Sequence, residues 1–267
     1  MAKNASLWVG ATLVAILALT GLLAPLLAPF DPSHQDLARA LLPPDASNPF
    51  GTDQYGRDIL SRILFGARIS LIEVTAGVGL AMLVGVPLGL LAGYFGGIAD
   101  EALSWSMNVL FAFPGVVLAL LIVSILGTHL FVLLIAIAIF SMPGYFRLTR
   151  GLALSLRSRE FTEAAVAIGA RTRRVLLHHI LRNALPPLII QASLTAGTVV
   201  LSAASLSFLG MGAQPPTPEW GAMLSDGRDF LGIASHLSVF PGLAITWAVL
   251  GFNLLGDGLR DRLDPRR

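Results

Sequence analysis

Six stretches of this chain, 7–30, 69–95, 103–126, 130–146, 185–209 and 237–255, are apolar for long enough to cross a bilayer. A hydrocarbon core of about 30 Å takes about 20 such residues in helical form. No water there can satisfy a bare backbone, so each stretch is predicted to be a transmembrane α-helix. The charged fraction of 13% and the mean hydropathy of +0.75 agree, since soluble domains carry about 25% charged residues. The expected fold is an all-α membrane protein with six transmembrane helices. A cleavable signal is the other reading of the first run, because Lys3 precedes it, but the run is long for that and ends in Ala28-Pro29-Phe30 without a small-x-small site.

Charge gives the direction of threading. With the N-terminus inside, thirteen of the 18 Lys and Arg fall on the cytosolic side and five (Arg39, Arg57, Arg62, Arg68, Arg228) outside. That bias predicts cytosolic N- and C-termini. The pI of about 9.5 therefore reports which loops stay in the cytosol, and no nucleic-acid partner is expected. Two parts are expected: 1–68, an N-terminal span and external segment, and 69–267, a five-helix core with a polar loop at about 149–183. Within the external segment, 57–70 alternates Arg57, Arg62 and Arg68 with Ile59, Ile63 and Ile69, an amphipathic pattern suited to the interface. In 210–235, Pro215, Pro216 and Pro218 stiffen the chain, and Trp220 is expected at headgroup level.

Several chemistries are excluded. The chain has no cysteine, and Lys3 is its only lysine, so no disulfide, thiolate metal site, P-loop or lysine Schiff base can form in the folded part. No carboxylate or histidine is expected deep in a span, with Glu73 and Asp257 near span ends, so a proton relay has no members. Neither a Ser-His nor a paired-Asp arrangement suggests an intramembrane enzyme, and no inverted repeat suggests a stand-alone secondary transporter. His34, His129, His178, His179 and His236 are scattered, which gives no metal site.

The exception to the oily composition is 147–183, with eight arginines. Ser158 is placed to cap a short helix with Glu160 and Glu163 in its first turns and Phe161, Ala165 and Ile168 on one face. Gly169 then stands where a helix ends in a left-handed residue, and a second helix is expected from about Thr172. Arg171, Arg173 and Arg174 put positive charge at the positive end of that helix's dipole, which calls for a partner carboxylate or anionic lipid headgroups. Two readings stand: a basic loop that only fixes topology, or a helix lying on the membrane face that docks into a soluble partner.

Elsewhere the residues leave alternatives open. Ser193, Gly197 and Ser202 belong to a fifth span rich in small and hydroxyl residues, suited to close helix packing or to lining a permissive pathway. Breaks are expected at Phe113-Pro114-Gly115 and Met142-Pro143-Gly144, as kinks or as a gate. Asn108 can face a pathway or bond a neighbouring helix.

The spacing Glu163-Ala164-Ala165, Gly169, then Ile180-Leu181 resembles the EAA loop of importer-type ABC transporter permeases. The stretches 50–71, 206–230 and 252–265 are similar to the second permease subunit of the dipeptide, oligopeptide and nickel importer family. One departure is Arg182, where the family usually has proline. The resemblance implies a type I ABC importer-like permease of the bacterial cytoplasmic (inner) membrane, with no enzyme activity. It implies a second homologous permease subunit (a heterodimer), two P-loop ATPase subunits carrying ATP and Mg, an external or periplasmic substrate-binding protein and surrounding membrane lipids. No cofactor is expected in this chain. It also implies that Glu163, Ala164, Ala165, Gly169, Ala170, Arg171, Arg173 and Arg174 couple to the ATPase, with Asn108, Met142, Ser193, Gly197 and Ser202 as pathway candidates. The substrate class is dipeptides or oligopeptides, with nickel, a nickel chelate or glutathione as alternatives.

Overall fold

The computed structural model describes residues 5–263, so Lys3, Pro265, Arg266 and Arg267 lie outside the described residues. Five helices are long and apolar enough to cross a membrane: α1 (Ala5–Leu27), α2 (Ile59–Phe95), α5 (Leu130–Arg157), the run Thr172–Phe208 and α10 (His236–Leu263). A sixth crossing is a bent pair, α3 (Gly97–Ala112) and α4 (Gly115–Leu126), which meet at 90°. The all-α, six-span expectation holds in that form.

The bend has a local cause. Pro114 cannot donate to a helix ladder and pushes the residue before it out of the helical region, and Phe113 is extended at φ −88°, ψ 137°. Pro143 does not act this way. α5 runs unbroken through it, with Pro143 buried, so the break expected at 142–144 is absent. Gly85 of α2 lies so close to the Met142 carbonyl that a Cβ there would come within 2.7 Å of its oxygen, and this packing holds α5 continuous.

α2 also begins earlier than expected. From Ile59 on, the amphipathic stretch 57–70 is the first part of the long helix α2, not a separate piece. Asp58 caps it, Oδ2 accepting from the Ser61 N–H and hydroxyl (both 2.7 Å). Of the three arginines that suggested headgroups, Arg68 is exposed and Arg57 and Arg62 face protein instead. Arg57 and Arg62 are each 3% exposed, and Asp53 Oδ2 lies 2.6 Å from Arg57 Nε and 3.6 Å from Arg62 Nε. Arg62 Nη1 also donates to the Pro32 carbonyl at 3.1 Å. The segment 28–58, with a 3₁₀ turn at Leu37–Arg39 and a bridge between Thr52 and Asp58, is thereby tied to the spans. Phe50 adds a ring stacked on Phe240 of α10 at 4.1 Å.

At the same end of the bundle lies α9 (Trp220–Gly227), packed on α8 (Arg182–Phe208) and α10. Trp220 is buried in protein. Its indole Nε1 donates to the Ile63 carbonyl at 3.1 Å, and its ring lies where a side chain at position 66 would be. Only the missing Cβ of Gly66 leaves room for it. The core runs between α2 and α5, which pack along their length, with α8 and α10 completing it.

Candidate functional site

The central polar stretch begins as the last turns of α5 and leaves it at Ser158. Ser158 does not cap the next helix; its hydroxyl turns back to the Ser155 carbonyl at 3.4 Å. The next helix, α6 (Glu160–Ala167), starts from an extended Arg159 whose carbonyl accepts from Thr162 N and Glu163 N at 2.8 and 3.0 Å. The Thr162 hydroxyl, buried, donates to the Leu156 carbonyl at 2.9 Å and pins α6 to the end of α5. Ala165 also faces inward. Glu163, Ala164, Val166 and Ile168 are exposed, Ile168 by 86%, and Phe161 by 43%. Phe161 and Ile168 therefore do not share the buried face with Ala165, because Thr162 and Ala165, three apart, define it.

α6 ends as expected at Gly169, with φ +81°. Ala170 N bonds the Ala165 carbonyl at 3.0 Å and Gly169 N the Val166 carbonyl at 2.9 Å, the paired closure of a Schellman turn. The chain then starts helix again at α7 (Thr172–Arg174), passes through a π-helical turn at Val175–Leu181 and enters α8 without a break. Arg171, Arg173 and Arg174 are exposed, and among the described residues none pairs with a carboxylate. Beside α6, a groove of about 640 Å³ opens between Tyr94 and Phe95 at the end of α2 and Thr162, Glu163 and Val166 of α6. Of the residues expected to couple, Glu163, Ala164, Gly169, Arg171, Arg173 and Arg174 are exposed, whereas Ala165 is buried and Ala170 half-buried.

The pathway candidates are not brought together. Ser193 donates to the Phe252 carbonyl at 3.0 Å, and Gly197 lies against Asn253, so both belong to the packing of α8 on α10. Ser202 is buried and Met142 half-buried. Asn108 bonds a neighbouring helix: its Oδ1 accepts from Arg147 Nη2 at 3.0 Å, while that guanidinium sits 4.0 Å over the Phe111 ring. One turn along α5, Arg150 binds both oxygens of Asp100 (2.5 and 2.6 Å). Two α5 arginines therefore hold α3, whose only buried residue is Met107. The sequence reading missed this clamp, and it missed Glu219, which caps α9 by accepting from Gly221 N and Ala222 N (2.9 and 2.7 Å). An acidic residue following Pro218 and preceding a helix was the available signal. Glu73, expected near a span end, lies four turns into the longer α2 and is buried. Among the described residues no three His, Cys, Asp or Glu converge on a possible metal position.

Five apolar helices and one bent pair, with the short helix α6 between two of them, form the described frame. The family model described as binding-protein-dependent transport system inner membrane component matches residues 85–267, and that of the N-terminal TM domain of oligopeptide transport permease C matches 1–44. The chain belongs to this family, as a non-catalytic permease subunit of the peptide and nickel group of ABC importers. It is 47% identical to the dipeptide transport system permease protein DppC of Alkalihalophilus pseudofirmus, over 99% of this chain and 87% of that one. It is 46% identical to the glutathione transport system permease protein GsiD of Pectobacterium atrosepticum, over 90% and 80%. It is 43% identical to the probable D,D-dipeptide transport system permease protein DdpC of Escherichia coli, over 100% and 90%. Its fold is similar to that in the inward-facing MetNI methionine ABC transporter, with a TM-score of 0.61 and 19% identity over 74% of this chain and 94% of that one. Family membership implies an importer of two permeases, two ATPases and a substrate-binding protein.

Proposed function

We propose that this chain forms half of a pathway for dipeptides and oligopeptides across the bacterial cytoplasmic membrane, paired as a heterodimer with a second permease, with both termini in the cytosol. Residues 1–68 serve as an added span and external segment and 69–267 as the permease core. Coupling to the ATPase runs through Glu163, Ala164, Ala165, Gly169, Ala170, Arg171, Arg173 and Arg174. The observation that carries this reading is the exposed, Schellman-closed α6 followed by three unpaired arginines, a built surface where a topogenic loop would need only charge. Asn108, Met142, Ser193, Gly197 and Ser202 enter the pathway reading only through movement, since most are engaged in helix packing in the present state. Glutathione is the second reading, favoured by the relatives named as glutathione permeases at 46 and 47% identity.

Uptake of labelled dipeptides and of labelled glutathione in a strain deleted for this chain, with and without a plasmid copy, tests the substrate. Dipeptide uptake is expected to fall to background and to return with the plasmid. Loss of glutathione uptake alone would select the second reading, and no change in either would overturn both. For the coupling surface, Arg173→Glu with Arg174→Glu is expected to reduce co-purification of the ATPase subunits about tenfold or more, since two charges are reversed at a contact. Unchanged co-purification would return these arginines to a topological or lipid-facing role.

A further inference from the structure

α1 leaves a gap where it changes neighbours. Toward one end it lies on α10, where Gly10 and Gly258 bring the two backbones into direct contact and the Trp247 indole Nε1 donates to the Leu13 carbonyl at 3.2 Å. Toward the other end it lies on α2, with Gly21 against the backbone of Ala67 and Arg68. Between these two crossings α1 and α10 part, and a notch of about 380 Å³ opens. The stack of Phe50 on Phe240 bounds it at one end and Trp247 at the other, while the buried Trp220 and Ala67 form its back. Ile16, Leu243 and Trp247 at its rim are exposed.

The chemistry of the wall selects its occupant. The polar side-chain groups that line it are the Thr20 hydroxyl and two indole N–H groups, and both indoles are already spent, Trp220 on the Ile63 carbonyl and Trp247 on that of Leu13. A lone hydroxyl does not hold water, which needs several polar partners. A peptide would leave its amides unpaired there, and an empty notch forfeits the dispersion contacts of its lining. Size excludes a helix. Phe240 to Trp247 is about 10 Å of rise along α10, so the notch has a mean cross-section of about 40 Å², half of the about 80 Å² that a helix 10 Å across takes with its side chains. A neighbouring span can cover the notch but cannot enter it. The same rise is about two-thirds of one leaflet's half of a hydrocarbon core of about 30 Å.

We propose that the notch holds one acyl chain of a membrane phospholipid, packed on Trp220 and clasped between α1 and α10. Both helices are long and apolar enough to cross a membrane, and the exposed side chains that continue from the rim, Leu19 and Leu23 on α1 and Val239 and Leu250 on α10, are apolar. The rim therefore passes without a polar break into surface suited to hydrocarbon. The α1 wall, Phe50, Ile63 and Ala67 all precede residue 85, so the notch is built largely by the part of the chain ahead of the matched transport component. The lipid chain takes the place of a core side chain: it fills the space that α1 leaves on crossing from α10 to α2, and it backs Trp220 where that ring lies over Gly66.

Photolabelling of the assembled transporter checks this, in nanodiscs of phosphatidylethanolamine and phosphatidylglycerol containing a phosphatidylcholine with a diazirine on one acyl chain. Labelled residues are read by mass spectrometry. Leu22 and Leu26 of α1, exposed and outside the notch, measure ordinary lipid contact. Trp220 is only 2% exposed, so label on it reports a chain inside the notch. In the unaltered transporter Trp220 is expected to be labelled. Thr20→Phe and Ala244→Phe place a ring in the notch from opposite walls; each is expected to cut the Trp220 label severalfold, and the two together about tenfold, with Leu22 and Leu26 unchanged, since a filled space admits no second occupant. Absence of label on Trp220 in the unaltered transporter overturns the proposal without recourse to any variant. Label on Trp220 in this chain alone but not in the assembled transporter also overturns it, in favour of cover by the second permease. Equal Trp220 label with and without the added rings overturns it as well, because the contact would then not be made through the notch.

Discussion

Gly169→Val is expected to leave the chain inserted and assembled while uptake falls about tenfold or more and ATP hydrolysis by the complex continues. Gly169 sits at φ +81°, and a Cβ there would meet nothing within 4 Å. The substitution therefore acts through the backbone alone. A left-handed conformation costs an L-residue about 1–2 kcal/mol, and more when it is β-branched. That is enough to open the Gly169 and Ala170 bonds that close α6 and to change the angle at which α6 is presented. Gly169→Asn, which tolerates the same conformation, is expected to keep most uptake. Paired uptake and ATPase assays check both variants. Normal uptake in the valine variant, or equal loss in the two, would remove the turn from the coupling route.

Asp53→Asn is the second large effect, and it is structural. One carboxylate serves two arginines that are each 3% exposed, and its other oxygen accepts from Tyr55 N and Arg57 N, both at 2.9 Å. The amide keeps an acceptor for those N–H groups but leaves two buried guanidinium charges with no carboxylate among the described residues except Asp226, 3.7 Å from Arg57 and 41% exposed. Breaking a buried pair by removing one side costs about 3–5 kcal/mol. The external segment is then expected to become sensitive to protease, and the thermal midpoint of the purified chain to drop. Added Arg57→Met is expected to recover part of the loss, because a buried charge without a partner is worse than none. Protease sensitivity equal to that of the unaltered chain would show that the clamp contributes little.

What could be read from the chain follows from how local each cause is. The turn at Gly169 and the right-angle break at Pro114 are decided by the conformations open to one or two residues, and both stand in the structure as expected. The family resemblance was carried by motifs a few residues long. Failures came where a partner distant in the chain changes the meaning of a residue. Arg62 looks like a headgroup anchor until Asp53 and the Pro32 carbonyl are folded around it. Trp220 looks interfacial until Gly66, 154 positions earlier, makes room for its ring. Pro143 looks like a break until packing on α2 holds the helix through it. Pathway residues were the least legible, since small and hydroxyl side chains serve close packing and an open channel equally well, and only a neighbour such as Phe252 distinguishes them.

The helical run that begins at Thr172 extends 37 residues to Phe208, through the π-helical turn at Val175–Leu181 and past Pro186 and Pro187. At about 1.5 Å per residue it is a rod of about 55 Å. Its far end carries Ala204, the backbone against which Gly221 of α9 is seated. Under the coupling proposed above, a small change of tilt at the arginine-bearing end would become a displacement of several ångströms at the end that carries Ala204. Such leverage would be delivered where α9 rests on α8.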